Sequence, residues 1–247
     1  MRKLKVMTVL LALAVLMTAC AGKKGGKDET TVGEDTPLLL DCTEIAIDES
    51  NVTVNSEKAD GDTAKAVYIA NDIVYYESGK DFTYGEGNAD DAHAKEEADS
   101  HTVIHISKPG MYSVSGKLSK GQIAVDLGDD AKDDPSAVVS LVLNGVDITC
   151  SVAPAVIFYN VYECCAADED SASNTVDTTA AGARVIVADD TVNNIQGSYV
   201  ARIYKPDTVE LSEDGTHVED AKKLHKYDGA FYSKMSMNID GGENGTE

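Results

Sequence analysis

Short runs in which apolar and polar residues alternate recur along this chain, separated by turns rich in glycine and aspartate. Three such runs, at residues 111–116, 122–127 and 138–143, follow one another within the segment 108–149. Alternation with a period of two is typical of a β-strand that buries one face. Short strands that recur between acidic or glycine corners predict an all-β chain coiled into the stacked turns of a solenoid.

The apolar positions of successive runs indicate which side chains face the core. The predicted inward residues are Ile123, Val125, Leu141, Leu143, Val156 and Phe158. A β-sandwich also produces short strands at intervals of roughly 8–12 residues. The pattern alone therefore leaves a solenoid and a β-sandwich open.

Other signals mark where the regular pattern is interrupted. Asn144-Gly145 is a strong turn signal, and an apolar-alternating stretch follows it at once, so the chain is predicted to turn there within the domain. Three polar segments, at residues 79–100, 166–182 and 205–227, are predicted to be insertions on the surface.

The N-terminus has the features of an export signal. Arg2, Lys3 and Lys5 precede an uncharged run at residues 6–19, which is shorter than the ~20 residues of a membrane-spanning helix. Residues 16–20, LMTAC, resemble a bacterial lipobox, which implies cleavage before Cys20 and acylation of that residue; an ordinary signal peptide is the alternative. We therefore predict a signal peptide at 1–19, a lipidated tether at 20–37 and a domain at 38–247. The lipid anchor would hold the protein on the extracellular face of the membrane.

The acidic composition limits the partners. With 21 basic and 43 acidic residues, the net charge is -22, which repels the phosphates of nucleic acids. The same repulsion disfavours anionic polymers unless cations intervene. Tryptophan is absent, so ring contacts to a sugar would depend on 11 Tyr and 3 Phe.

The cysteines permit one disulfide prediction. If Cys20 is acylated, Cys42, Cys150, Cys164 and Cys165 remain, and an exported protein tolerates disulfides. Cys150 and Cys164 are the candidate pair, and free structural thiols are the alternative.

Two histidines have the spacing of helical zinc ligands, but they lie in an alternating run. Residues i and i+4 of a strand are ~13 Å apart, so His101 and His105 cannot share one zinc ion. Both are predicted to be exposed strand histidines.

Four stretches, which follow one another along the chain, together resemble a known family. They read VIHISKPGMYSVSGKLSKGQIAVDLGDD, VVSLVLNGVDITCSVAPAVIFYNV, ARVIVADDTVNNI and GAFYSKMSMNIDGG. Over residues 102–247 the chain resembles a carbohydrate-binding domain family of bacterial surface proteins. The resemblance implies a right-handed parallel β-helix, calcium binding and an acidic plant polysaccharide of the polygalacturonate kind as ligand. The family pattern would continue past the last residues, so we expect a coil truncated at its C-terminal end.

Acidic and amide residues at strand ends are the candidate calcium ligands. Calcium takes roughly six to eight oxygen ligands, and no EF-hand spacing is present. The candidates are Asp126, Asp129, Asp130, Asn144, Asp147, Asp189, Asp190, Asn193 and Asp240. Each cluster alone is typical of a solvated turn, but their repetition at corresponding corners, together with the resemblance, predicts calcium.

The predicted function is that of a cell-surface lipoprotein that binds acidic polysaccharide with the help of calcium. One alternative is a structural or adhesive surface solenoid that binds no sugar. Another is a calcium-dependent polysaccharide lyase, for which Lys117, Lys120 and Lys132 are candidate bases. The chain has no nucleophile elbow, Walker loop or His-Glu-x-x-His motif. We therefore predict that it is not an enzyme.

Overall fold

The structure, a computed structural model, describes residues 42–49, 51–165 and 177–241, all within one unit, Leu38–Glu247. The predicted signal peptide and tether, with Cys20, lie outside the described residues. A short helix, α1, spans Lys95–Asp99, and 3-10 turns lie at Asp129–Asp133 and Pro206–Thr208. Among the described residues, no helix is long and apolar enough to cross a membrane.

Strands dominate the described residues. They are β1 (Cys42–Asp48), β2 (Asn51–Val54), β3 (Glu57–Lys58), β4 (Val67–Ala70), β5 (Thr102–Ile106), β6 (Gly110–Leu118), β7 (Gly121–Asp126), β8 (Val139–Thr149), β9 (Val156–Asn160), β10 (Ala183–Val187), β11 (Asn194–Gln196), β12 (Val200–Tyr204), β13 (Glu210–Leu211), β14 (Val218–Asp220), β15 (Lys223–Tyr227), β16 (Phe231–Ser233) and β17 (Met237–Gly241).

Two large sheets hold most of the strands, and both are mixed. The first has the order β17-β10-β8-β6-β1-β2-β3, with β11 also paired to β8. Its strands are parallel from β17 to β1 and antiparallel from β1 to β3. The second has the order β16-β9-β7-β5-β4, in which only the β4–β5 pair is antiparallel. Two further antiparallel pairs are β12–β15 and β13–β14.

The prediction of a right-handed parallel β-helix is wrong. The chain is all-β, but its strands form several mixed sheets and not a solenoid, which fits the sandwich-like alternative. A uniform solenoid would pair each strand in parallel with the next turn, whereas here antiparallel pairs lie at one edge of each large sheet. Alternation specifies which face of a strand is buried and says nothing about the direction of its partner, so the pattern could not separate the two folds.

The core lies between the inward faces of these strands. The six predicted inward residues, Ile123 to Phe158 in chain order, are all fully buried and belong to one apolar cluster, so that prediction is confirmed. His101 is also fully buried, which corrects the expectation of an exposed strand histidine. It lies in the turn between α1 and β5, where its Nδ1 is 2.9 Å from the Glu97 carbonyl oxygen.

Asn144-Gly145 does not turn the chain. Strand β8 continues from Val139 to Thr149, and its pairing with β6 shifts register at this point. Gly145 takes a φ of 74°, which the dipeptide favours, and the structure uses it for a β-bulge inside one long strand. The positive φ was foreseeable, whereas the continuation of pairing on both sides depends on β6.

Candidate functional site

One row of paired positions crosses the second large sheet. It consists of Tyr68, His105, Ala124, Ile157 and Tyr232, from β4 to β16. Ala124 and Ile157 are buried in the middle of the row, so its aromatic rings lie at the two ends, on β4, β5 and β16.

An open depression of about 450 Å³ lies against strands β4, β5, β7 and β9. We call it the acidic depression, and its lining is Tyr68, Asp72, His105, Asp126, Gly128, Asp129 and Tyr159. It therefore combines three aromatic rings with three carboxylates.

Tyr68 and His105 form one wall of the acidic depression. They are directly paired across β4 and β5, and their rings stack with centroids 4.5 Å apart and planes 5° apart. His105 Nε2 lies 2.8 Å from Asp72 Oδ1, in the loop after β4. The stacked ring and the carboxylate together fix the imidazole, so this wall is held in place before any ligand arrives.

Asp126 and the loop after β7 form the acidic end. Asp126 Oδ1 accepts hydrogen bonds from Asn160 Nδ2 at 2.9 Å and from the Gly128 backbone N–H at 3.0 Å. Gly128 takes a φ of 95°, which lets the chain reverse direction into the 3-10 turn that begins at Asp129. The Asp126 carboxylate thus holds the loop that carries Asp129.

Tyr159 forms the opposite wall and is supported by further aromatic rings. The Tyr227 ring packs edge-on at 5.7 Å from Tyr159 and lies 5.0 Å from the Tyr232 ring. Lys234 Nζ lies 5.5 Å from the Tyr159 ring centroid. Burial is the main cause that raises the pKa of the Tyr159 hydroxyl, so this hydroxyl stays protonated near neutral pH and can donate a hydrogen bond.

The pKa of Tyr68 is also raised, first by burial and then by the carboxylates of Asp72 and Asp126. Both tyrosines therefore offer a neutral ring with a hydroxyl donor, next to carboxylates that only accept hydrogen bonds when ionised. This arrangement can pack against an apolar face and bind several hydroxyl groups at once.

The structure divides the predicted calcium ligands between the two sheets. Asp126 and Asp129 line the acidic depression, and exposed Asp130 follows them in the same 3-10 turn. Asp72 lies there too, although it is far away in the sequence. Only the antiparallel pairing of β4 with β5 brings Asp72 into the site, and no sequence pattern signalled that pairing.

The other predicted ligands lie on or beside the first sheet. Asn193 Oδ1 accepts hydrogen bonds from the backbone N–H groups of Gly145 and Val146, each at 2.9 Å. Asn144 Nδ2 lies 3.4 Å from Ser113 Oγ. Asp147 contacts Lys117 Nζ at 3.1 Å and Asn194 Nδ2 at 3.0 Å. Asn193 therefore supports the bulge of β8, which is a structural role.

The remaining acidic candidates are exposed. Asp189 and Asp190 follow β10, and Asp190 has a φ of 55°. Asp240 lies in β17, where its Oδ1 accepts a hydrogen bond from the Gly241 backbone N–H. Calcium binding by any of these residues stays a prediction.

One compact group of potential metal ligands occurs within residues 42–49, 51–165 and 177–241. The ligand atoms of Glu163, Cys164 and Cys165 lie within 4.8 Å of one another. Both carboxylate oxygens of Glu163 accept hydrogen bonds, from the Cys165 and Ser236 backbone N–H groups, each at 2.9 Å.

The four cysteines within the described residues, Cys42, Cys150, Cys164 and Cys165, are free thiols. Cys150 is buried, whereas Cys164 Sγ lies 3.2 Å from Cys165 Sγ. The structure therefore gives no support to the predicted bond between Cys150 and Cys164. Burial raises the pKa of the Cys150 thiol, which keeps it protonated and unreactive.

Part of the chain matches a known family. A family model described as "Carbohydrate-binding domain-containing protein" matches residues 100–246, which is more than half of the chain. The matched part contains His105, Asp126, Asp129 and Tyr159 of the acidic depression. No curated protein and no solved structure gives a significant match.

Proposed function

The chain belongs to the family of carbohydrate-binding domain-containing proteins, and we propose that it binds sugar in the acidic depression. The observation that carries this proposal is that two tyrosine rings, Tyr68 and Tyr159, line the same depression as three carboxylates. A tyrosine ring packs against the apolar C–H face of a sugar, while carboxylates accept hydrogen bonds from its hydroxyl groups.

The preferred ligand in this proposal is an acidic polysaccharide bridged by calcium. Three carboxylates in the depression and a net charge of -22 would repel an anionic sugar directly. A calcium ion takes oxygen ligands from both partners, so Asp72, Asp126 and Asp129 could hold one side of the ion and the sugar carboxylates the other. The resemblance noted from the sequence agrees with this pairing of ion and sugar.

We propose a binding module and not a polysaccharide lyase. A lyase needs a base within reach of the sugar, and the three candidate lysines do not line the acidic depression. Lys117 is paired with Asp147, Lys132 with Asp133, and Lys120 Nζ lies 3.4 Å from Ser100 Oγ. Location on the cell surface rests on the lipobox at residues 16–20 and remains a proposal.

Substitution of Tyr68 tests the proposed site. In a glycan array followed by calorimetric titration with oligogalacturonides, Tyr68→Ala should weaken binding about tenfold, which is the loss of ~1.4 kcal/mol of ring contact. Tyr68→Phe keeps the ring and should retain most of the affinity.

The matched control is Tyr199→Ala, which removes an exposed tyrosine that does not line the acidic depression. It should bind as the unmodified protein does. If Tyr68→Ala and Tyr199→Ala bind equally well, the site is elsewhere. If the unmodified protein binds no glycan, with calcium or with chelator, the structural or adhesive alternative replaces this proposal.

A further inference from the structure

A second open depression, of about 270 Å³, lies where two of the polar insertions meet. We call it the annex. Its walls include Tyr75, Tyr84, Tyr204, Leu224 and His225. Tyr84 belongs to the segment 79–100, and Leu224 and His225 belong to the segment 205–227, both of which were predicted to be surface insertions. Tyr204 directly precedes the second segment.

Backbone pairing between distant segments builds the annex. The Glu86 N–H donates to the Arg202 carbonyl at 2.8 Å, and the Tyr204 N–H donates to the Tyr84 carbonyl at 2.9 Å. Strand β12 in turn pairs with β15, which carries Leu224 and His225. The annex is therefore anchored by a small sheet and does not depend on free loops.

Gly85 is required for this close approach. A Cβ atom at this position would lie 2.1 Å from the Arg202 carbonyl oxygen, which no real side chain tolerates. Contact with β12 thus explains why position 85 is a glycine, because only a residue without a side chain lets the two backbones come together.

The chemistry of the annex resembles that of the acidic depression with fewer charges. Three tyrosine rings surround it, and Leu224 is 48% exposed. Glu77, which also lines it, is paired with Lys80 at 3.0 Å, and Lys80 Nζ lies 5.6 Å from the Tyr84 ring centroid. Such rings and apolar groups offer packing surfaces for sugar rings without adding unpaired charge.

The annex and the acidic depression are neighbours in two ways. Asp72 lines the acidic depression, and the next two residues, Ile73 and Val74, line the annex. The buried Tyr227 ring lies 5.7 Å from Tyr159 and 5.5 Å from His225, so the centroids of those two wall residues are at most about 11 Å apart. His225 Nδ1 and Tyr227 Oη are 2.6 Å apart, which ties the two walls together.

We propose that the annex is a second sugar subsite, and that the ligand is an extended oligosaccharide whose successive residues occupy the acidic depression and then the annex. This inference rests on the proposed sugar binding at the acidic depression. It adds that the two polar insertions set a preference for long chains, because only a chain that leaves the first site reaches the tyrosines of the second.

The length dependence of binding tests the inference. Affinities are measured by calorimetry for a disaccharide and an octasaccharide of galacturonic acid, with cello-oligosaccharides of the same lengths as the neutral series. The unmodified protein should bind the octasaccharide at least about tenfold more tightly. Tyr204→Ala should remove most of this gain and leave disaccharide affinity within about twofold.

Leu224→Ala serves as the second variant, because its exposed side chain can be removed with little effect on folding. It should also reduce octasaccharide binding alone, while Tyr199→Ala should change neither ligand. Tyr68→Ala should weaken both lengths, which separates the acidic depression from the annex.

Two results would overturn the inference and leave sugar binding intact. One is equal affinity of the unmodified protein for both lengths, and the other is octasaccharide affinity that neither Tyr204→Ala nor Leu224→Ala reduces. Failure of both series to bind at all would overturn it together with the proposed function.

Discussion

At the scale of single residues, an acidic corner can hold side chains with quite different roles. Asp126 and Asn193 were both predicted as calcium ligands from the same sequence signal, which is a polar residue at a strand end. Asp126 lines an open depression, whereas Asn193 is buried and bonds the backbone of a neighbouring strand. Burial and hydrogen-bond partners, which depend on strand pairing, separate the two.

Removal of Asn193 should destabilise the fold. Asn193→Ala leaves the N–H groups of Gly145 and Val146 without their acceptor. Val146 is buried, and a buried unpaired group costs about 1–3 kcal/mol, whereas Gly145 is exposed and its N–H can bond water. We expect a loss of about 1–3 kcal/mol in the free energy of unfolding, measured by urea denaturation.

Asn193→Asp is the control, since it keeps an acceptor oxygen and should lose clearly less stability. The difference between the two variants should be the same with calcium and with chelator. Equal losses would mean that the acceptor is not what stabilises the bulge, and a difference that appears only with calcium would favour a ligand role.

At the scale of strands, close backbone approaches decide which glycines are essential. Gly116 in β6 lies beside Ile47 of β1, and a Cβ atom there would be 2.0 Å from the Ile47 carbonyl oxygen. Gly128, after β7, has the same φ of 95° but no atom within 4 Å of the Cβ position. The two glycines thus share a positive φ and differ in the space around them.

The pair gives a matched test of strand packing. Gly128→Ala should cost about 1–3 kcal/mol of unfolding free energy, because a φ of 95° with a ψ of 163° is a backbone conformation that essentially only glycine adopts. Gly116→Ala should cost at least about 2 kcal/mol more, because β1 and β6 must also separate. Thermal and urea denaturation of both variants measure the difference, and similar losses would show that β1 and β6 can move apart at little cost.

Much of the strand content was predictable for a physical reason. Alternation identifies the buried face of each strand, so residues such as Leu141 and Phe158 could be assigned to the core from the sequence. Pairing direction and partner could not be assigned, since both depend on contacts between distant segments. Tyr68 and Asp72 were missed for that reason, because they enter the site only through the antiparallel pairing of β4 with β5.

The polar insertions were the other part that the sequence did not reveal. Residues around Gly85 and Leu224 have the composition of exposed loops, and composition carries no information about mutual contact. The GEG stretch at residues 85–87 was the available signal, since closely spaced glycines mark places where backbones approach.

At the scale of the whole molecule, charge is the dominant property. A net charge of -22 on 247 residues gives strong self-repulsion, which a bound divalent cation would relieve. The acidic depression brings three of these carboxylates together, so a cation bound there would reduce their mutual repulsion.

Calcium should therefore stabilise the protein. If millimolar calcium is about 100 times its dissociation constant, the gain is about 2.7 kcal/mol, which raises the melting temperature by several degrees. Differential scanning calorimetry at constant ionic strength measures the shift, with magnesium as the comparison ion.

Two aspartate variants locate the effect. Asp126→Asn should reduce the calcium-dependent shift, whereas Asp220→Asn, which changes an exposed residue in β14 that is not among the predicted calcium ligands, should leave it unchanged. An unmodified protein whose melting temperature is the same with calcium and with chelator would contradict the calcium proposal.

The cluster of Tyr159, Tyr227 and Tyr232 has an optical consequence. Tyrosine emission is usually lost by energy transfer to tryptophan, and this chain contains none. The light that the protein emits after ultraviolet excitation therefore comes from tyrosines, and the rings beside the two depressions contribute to it. Occupation of either depression would change the surroundings of these emitters, so the protein carries its own unlabelled reporter of ligand.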